Sequence, residues 1–119
     1  MTEYLIAFND EWTPEFTPEQ LREAARTSMA VIEDMKAAGV YVYANGGLVR
    51  ETPVFHVRPV DGEPVFTDGP YVESKELFGG FTVIDVPDEE AARLWAGRIA
   101  IGCGWPQEVR PFPSSSPFD

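Results

Sequence analysis

The segment TPEQLREAARTSMAVIEDMKAAGVYVYA, residues 17–44, contains the best local structural signals in the chain: a helix start, an amphipathic repeat and a strand. Thr17 can cap a helix, and Pro18 suits the first helical position. Gln20 completes a capping box three residues after the threonine. The sequence therefore predicts that a helix begins at Pro18.

The amphipathic repeat defines the length of this helix. Residues at helical spacing predict its buried stripe: Leu21, Ala25, Ser28, Ile32 and Met35. Gly39 can adopt the left-handed conformation that closes a helix, so the predicted helix covers residues 18–38. Residues 40–44 then alternate β-branched and aromatic side chains, as a strand with both faces in use does.

The rest of the chain supplies further strands and a second helix. Strand signals occur at residues 4–8, 54–58, 65–67, 77–86 and 107–112. Asp61-Gly62 is a hairpin signal, and the prolines around it belong at a sheet edge or at bends. Asp88 is placed to cap the second helix, which ends at residues 102–104. The predicted buried stripe of that helix is Ala91, Leu94, Trp95 and Ile99.

This order of elements predicts an α+β fold of the ferredoxin-like βαββαβ type with an inserted edge hairpin. We expect one domain over residues 1–112 and a loose tail over residues 113–119. Two helices cover only one face of such a sheet, and we expect Tyr41, Tyr43 and Phe81 on the other. A second copy of the chain could bury that face, so the sequence predicts a homodimer.

Composition argues against several classes of partner. The chain has 20 Asp and Glu residues against 9 Lys and Arg, a formal net charge of −11, so we expect no binding to nucleic acid or membranes. Cys103 is the one cysteine, which excludes an intrachain disulfide, and with a single histidine nothing resembles a zinc site. We predict no metal and no cofactor. No signal peptide or membrane span is recognisable, so we expect a cytoplasmic protein.

A resemblance to a known family rests on the middle of the chain. Residues 65–76 read VFTDGPYVESKE and are followed by Gly79-Gly80-Phe81. This pattern resembles the signature of the YCII-related proteins of the DGPF type, with Tyr71 in place of the usual Phe. Three shorter stretches also sit where that family's pattern expects them: Asp10-Glu11, Gly46-Gly47-Leu48 and Glu108-Val109-Arg110-Pro111.

The resemblance implies a dimeric α+β barrel, in which two protomers press their sheets together, and a functional cleft near the Asp-Gly-Pro segment. It implies no defined reaction, although some related domains accompany alternative sigma factors. Distant relatives include a dechlorinating enzyme of aromatic breakdown with a proposed His–Asp pair, whose histidine follows the first strand. Here that region reads Asn9-Asp10-Glu11, and the only histidine, His56, lies in the third strand.

Asp68 and His56 are the candidate catalytic residues. Asp68 either makes a turn with Gly69, through its own backbone, or contributes a carboxylate to a ligand site. His56 is either a hydrogen-bonded structural residue or a general base. Acid–base catalysis is favoured if the two side chains meet in an enclosed pocket, and disfavoured if they face opposite sides of the sheet.

The candidate ligand-binding residues are charged: Arg58, Asp68, Glu73, Lys75, Glu76 and Arg110. Lys75 could pair with a nearby acid and hold a carboxylate ionised in a cleft, or the whole segment could be a solvated loop. The two arginines each precede a proline on different predicted strands. They could bind a carboxylate ligand, or pair with acids of the chain itself.

Three functions are therefore open at the level of the sequence. The first is a module that binds a small organic molecule, as an accessory to transcriptional or stress regulation. The second is an enzyme of hydrolase or lyase type that performs acid–base chemistry on such a molecule. The third is a purely architectural role of the motif in the dimer.

Overall fold

The computed structural model describes residues 1–9, 14–47, 55–69 and 78–113. In chain order, the elements within these ranges are β1 (Thr2–Asn9), α1 (Pro18–Ala38), β2 (Tyr41–Asn45), β3 (Phe55–Val60), β4 (Glu63–Asp68), β5 (Phe78–Val86), α2 (Glu89–Cys103) and β6 (Glu108–Pro111). Neither helix of this described part is long and apolar enough to cross a membrane.

Four of the strands form the main sheet, in the order β2-β5-β1-β6. Every neighbouring pair in it is antiparallel, and the register of the central pair places Leu5 opposite Val83. The combination of two helices with an antiparallel sheet confirms the predicted α+β fold. It is compatible with the ferredoxin-like type.

Helix α1 has the two ends that the sequence predicts. Thr17 Oγ1 accepts a hydrogen bond from the backbone N–H of Gln20 (3.1 Å), and Gln20 Oε1 accepts one from the N–H of Thr17 (2.9 Å). This is a complete capping box. Gly39 ends the helix at φ +74°, in the left-handed region that favours glycine. Local signals therefore suffice to place this helix.

The hydrophobic core lies between the two helices and one face of the main sheet. Its largest fully buried side chains are Ile6, Met35, Ile84 and Val86. Helix α2 approaches α1 closely at Gly102, where a Cβ atom would lie 3.2 Å from both Thr27 O and Val31 Cγ2. The absence of a side chain at Gly102 thus sets how near the two helices come.

The two predicted buried stripes are wrong in part. In α1, Leu21 is 47% exposed and Ala25 is also exposed, because only the C-terminal half of the helix packs on the core. In α2, Leu94 is 60% exposed, whereas Ala92 and Ala96 are buried. The alanines let α2 lie close to its neighbours, so its buried face includes them and not the leucine.

Tyr41 was expected on the open face of the sheet, and this expectation is wrong. The register shifts between Tyr41 and Tyr43, so that Tyr41 pairs with Ile84 and Tyr43 with Val83. Such an irregularity breaks the alternation of side chains between the two faces. Tyr41 consequently packs against the core. Tyr43 lies on the open face with Phe81, their ring centroids 5.7 Å apart.

The predicted hairpin is present but forms a separate two-stranded sheet, β3–β4. Asp61 and Gly62 make its turn with φ of +51° and +80°, the left-handed pair that a tight hairpin turn requires. Its aromatic side chains are largely exposed, Phe55 at 63% and Phe66 at 64%. The hairpin therefore does not contribute these side chains to the core.

We expect Met35→Ala to lower the free energy of unfolding by about 2–5 kcal/mol, because it removes a large side chain from a closed core. Met29→Ala is the matched control: Met29 is on the same helix but is 57% exposed. Its expected cost is under about 1 kcal/mol. Denaturant unfolding followed by circular dichroism measures both, and equal losses would contradict the placement of the core under the C-terminal half of α1.

Candidate functional site

The two candidate catalytic residues lie on the β3–β4 hairpin, at the end away from its turn. The register pairs His56 with Thr67, and Phe55 with Asp68. Paired residues share a face and adjacent residues alternate between faces, so His56 and Asp68 point to opposite faces of the hairpin. This is the arrangement that we expected to disfavour acid–base catalysis by the pair.

His56 makes a structural contact at this end of the hairpin. Its Nδ1 atom lies 2.9 Å from the carbonyl oxygen of Gly69. Because a carbonyl oxygen only accepts, Nδ1 carries the proton and donates it. Gly69 has φ +95°, which favours glycine at this turn. The bond ties the start of β3 to the residue that follows β4.

The two candidate arginines lie in different sheets. Arg58 is exposed on β3, opposite Val65. Arg110 is exposed on β6, where its Nη2 and Nε atoms donate to Glu108 Oε1 at 2.7 and 3.0 Å. Pairing within the chain is thus observed for Arg110, and such exposed ion pairs contribute little to stability.

The remaining candidate ligand residues, Glu73, Lys75 and Glu76, lie outside the described residues. The same holds for Asp10-Glu11 and for Tyr71 of the motif. Within residues 1–9, 14–47, 55–69 and 78–113, no cluster of three or more His, Cys, Asp or Glu side chains could hold a metal ion. The charged cleft beside the Asp-Gly-Pro segment therefore stays a prediction.

A cavity of about 460 Å³ lies between α1 and the helix-facing side of the main sheet. The α1 side of it is lined by Leu21, Ala24, Ala25, Ser28, Met29, Ile32 and Lys36. The sheet side includes Phe8, Tyr41, Ala44 and Thr82. The cavity thus extends along α1 from its first turn, at Leu21, to its last turn, at Lys36.

An aromatic wall closes the cavity near the start of α1. Trp105, in the segment after α2, packs its ring against Phe8 and Phe16, with centroids 4.8 and 6.1 Å away. Gln107 Nε2 donates to the carbonyl oxygen of Trp105 at 3.2 Å. Gly104, at φ +77°, turns the chain between α2 and this residue. Packing and backbone contacts therefore hold the indole in place.

The floor of the cavity beside Phe8 depends on Gly80 of β5. A Cβ atom at Gly80 would lie 2.8 Å from two atoms of the Phe8 ring and 2.9 Å from the carbonyl oxygen of Asn45. Real Cβ atoms do not come this close to other heavy atoms. Phe8 can therefore lie across the sheet at this point only because the facing strand has no side chain there.

The described part of the cavity lining is mainly apolar and has one charged side chain. Among the described residues that line it, Lys36 is the only one with an ionised side chain. Its Nζ lies 5.0 Å from the centroid of the Tyr41 ring and 3.4 Å from Glu33 Oε1. An apolar chamber with few polar groups is suited to binding an organic molecule.

Cys103 also lines the cavity, and its surroundings disfavour the thiolate form. Gln107 Nε2 donates to its Sγ atom at 3.2 Å. Burial raises the pKa of the Cys103 thiol, because the thiolate is poorly solvated there, and the hydrogen bonds offset only part of that effect.

Of the site residues predicted from sequence, the four that the structure describes, His56, Arg58, Asp68 and Arg110, do not line this cavity. Most of the α1 residues that line it belong to the stripe that the sequence predicts as core. Apolar side chains recur at the same helical spacing on a face that packs on a core and on a face that lines an apolar cavity. One signal could have separated the two: the α1 residues that line the cavity include small ones, with Ala24 and Ala25 adjacent and Ser28 about one turn after them. Small side chains on a face opposite a sheet leave space that large ones would fill.

Comparison with known proteins assigns most of the chain to one family. The family model described as the YCII-related domain matches residues 2–103. This match covers both helices and five of the six described strands. No curated protein matches the chain.

We expect Cys103 to react with iodoacetamide more slowly in the folded protein than in the urea-unfolded chain, because its raised pKa leaves less thiolate near pH 8, below the thiol's ordinary pKa of about 8.5. The pH midpoint of the alkylation rate should lie above that of the same cysteine in the urea-unfolded chain, which is the control thiol. By linkage, the thiol's contribution to folding is present below the unfolded pKa and is lost as the pH rises through the folded one. A midpoint at or below that of the control would contradict this environment.

Proposed function

Because the chain belongs to the YCII-related domain family, we propose that it is a homodimeric protein that binds a small organic molecule in the cavity between α1 and the main sheet. The cavity is the observation that carries the proposal. Its volume of about 460 Å³ falls in the range of ligand sites, which are roughly 300–1,000 Å³.

The composition of the lining supports an organic ligand. Apolar and aromatic side chains provide most of the surface, and a few polar groups such as Thr82 and Gln107 can orient a bound molecule. A closed core would instead be filled to crystal-like density, with few voids larger than a water molecule. This cavity is open to solvent, since Leu21 and Met29 of its lining are 47% and 57% exposed, and a ligand can therefore enter it.

Binding is better supported than catalysis. A general base must lie within hydrogen-bond reach of its partner or its substrate. His56 and Asp68 point to opposite faces of the hairpin, and His56 Nδ1 is directed to the Gly69 carbonyl. The described lining residues include no acid beside a histidine. The acid–base alternative thus lacks the geometry that it needs within one protomer.

The open face of the main sheet supports the dimer. Leu5, Val83, Phe81 and Tyr43 lie on this face, and no helix of the described chain covers it. Charged residues border the apolar patch, with Arg110 opposite Leu5 at the β6 edge. An apolar centre with a polar rim is the usual composition of a protein interface. A second copy of this chain is the partner that two-fold symmetry supplies.

We expect the neutral probe N-phenylnaphthylamine to bind the protein with enhanced fluorescence, and Ala25→Trp to weaken this binding by at least about tenfold, because an indole at this position fills the cavity. Ala30→Trp is the control: Ala30 is exposed on the same helix and is not among the lining residues. A fluorescence titration measures all three proteins. No binding to the wild type, or equal binding to both variants, would refute the cavity as the site.

We expect the wild type to sediment as a dimer at micromolar concentration, and Val83→Lys to raise the dimer dissociation constant by at least about thirtyfold, because it places a charge at the centre of the apolar face. Ile101→Lys makes the same change in net charge at a residue that is 85% exposed on α2. It should leave the equilibrium unchanged. A wild-type protein that sediments as a monomer would overturn the dimer.

A further inference from the structure

The α1 wall of the cavity has one cationic end. Lys36 lies in the last turn of α1, and Leu21 in its first turn, so the wall runs roughly 22 Å along the helix at 1.5 Å per residue. The ammonium group lies over the face of the Tyr41 ring, with Nζ 5.0 Å from the centroid. The aromatic wall of Trp105 and Phe8 closes the region near the start of the helix.

Several other polar groups of the lining have partners, whereas Trp105 Nε1 is buried without a partner in the part of the chain that the structure describes. Gln107 Nε2 donates to the Trp105 carbonyl oxygen and to Cys103 Sγ. Asn45 Oδ1 accepts from the N–H of Gly47, and Ser28 Oγ donates to the Ala25 carbonyl oxygen. Lys36 has three N–H donors, and Glu33 Oε1 at 3.4 Å accounts for one of them. Lys36 is therefore the one cationic donor of the described lining, and the Trp105 indole N–H is a further, neutral donor.

The pairing of Lys36 with Glu33 is weak enough to be replaced. The side chains of Lys36 and Glu33 are 48% and 64% exposed, so water screens the pair. No carboxylate lines the cavity among the described residues, although the chain as a whole has a net charge of −11. An anion in an apolar cavity must be placed beside a cation or near water, and the Lys36 end offers both.

We infer that the ligand is an amphipathic monoanion, an apolar body that carries one carboxylate or similar anionic group bound by Lys36. This inference rests on the proposed function, since it names the chemical class of the molecule held in the same cavity. The apolar body lies along Ile32 and Met29 towards Trp105, and the anionic group lies at the ammonium of Lys36. Neutral molecules of the same shape bind less tightly.

The test compares two probes that share a phenylnaphthylamine skeleton. Anilinonaphthalene sulfonate carries one anionic group, and N-phenylnaphthylamine carries none. We expect the wild type to bind the sulfonate roughly three- to tenfold more tightly than the neutral probe at low salt, the range for one partly screened ion pair. The preference should fall at high salt.

Substitutions at Lys36 and at a matched control residue test whether Lys36 causes the preference for the sulfonate over the neutral probe. Lys36→Met should remove it, weakening the sulfonate alone, and Lys36→Arg should retain it. Arg22→Met is the control, because it removes the same charge from an exposed position on the same helix that does not line the cavity. It should leave both affinities unchanged.

The outcomes separate the inference from the function on which it rests. If neither probe binds the wild type, the cavity is not a ligand site and the proposed function fails. If the neutral probe binds but the protein does not prefer the sulfonate, or if Lys36→Met keeps the preference, the proposed function stands. The inference that the ligand is a monoanion is then wrong. If Arg22→Met loses the preference for the sulfonate as much as Lys36→Met does, the inference is also overturned. The preference would then depend on the net charge of the protein and not on the position of Lys36.

Discussion

The contact between the C-terminal half of α1 and the main sheet determines where α1, β2 and α2 lie around the cavity. Met35 is fully buried there, and Gly39 turns the chain directly into β2. Gly102 brings α2 against the middle of α1, at Thr27 and Val31. The helix is thereby held from its middle to its end. Its first turns extend beyond the core, and the cavity runs from the space beneath them to Lys36 in the last turn.

Sequence signals that are local predicted the elements of the fold well. The capping box at Thr17, the glycine at position 39 and the Asp61-Gly62 turn act through neighbouring residues, so the chain itself contains the information. The face on which a residue lies was harder to predict. Tyr41 lies on the core face and not on the predicted open face, because the register of β2 against β5 is irregular. Leu94 is exposed because the smaller Ala92 and Ala96 form the buried face of α2. Both depend on contacts between distant parts of the chain.

The candidate site was predicted less well, for a physical reason. Charged and turn-forming residues such as Asp68 stand out in a sequence, but the hairpin register decides which of them can act together, and it separates Asp68 from His56. The cavity is made by apolar side chains from α1, β1, β2 and the segment after α2. In sequence, these are indistinguishable from core residues. Only the small side chains of Ala24 and Ala25 indicate in the sequence that space is left beside α1.

Gly80 limits the substitutions that can change the shape of the cavity. With no room for even a methyl group, any substitution at that position must push the benzyl group of Phe8 into the cavity or separate β5 from β2. The capacity of the chamber is therefore governed jointly by two positions on adjacent strands. A smaller residue at position 8 would be the change that makes a side chain at position 80 tolerable, so variation at the two sites should be correlated.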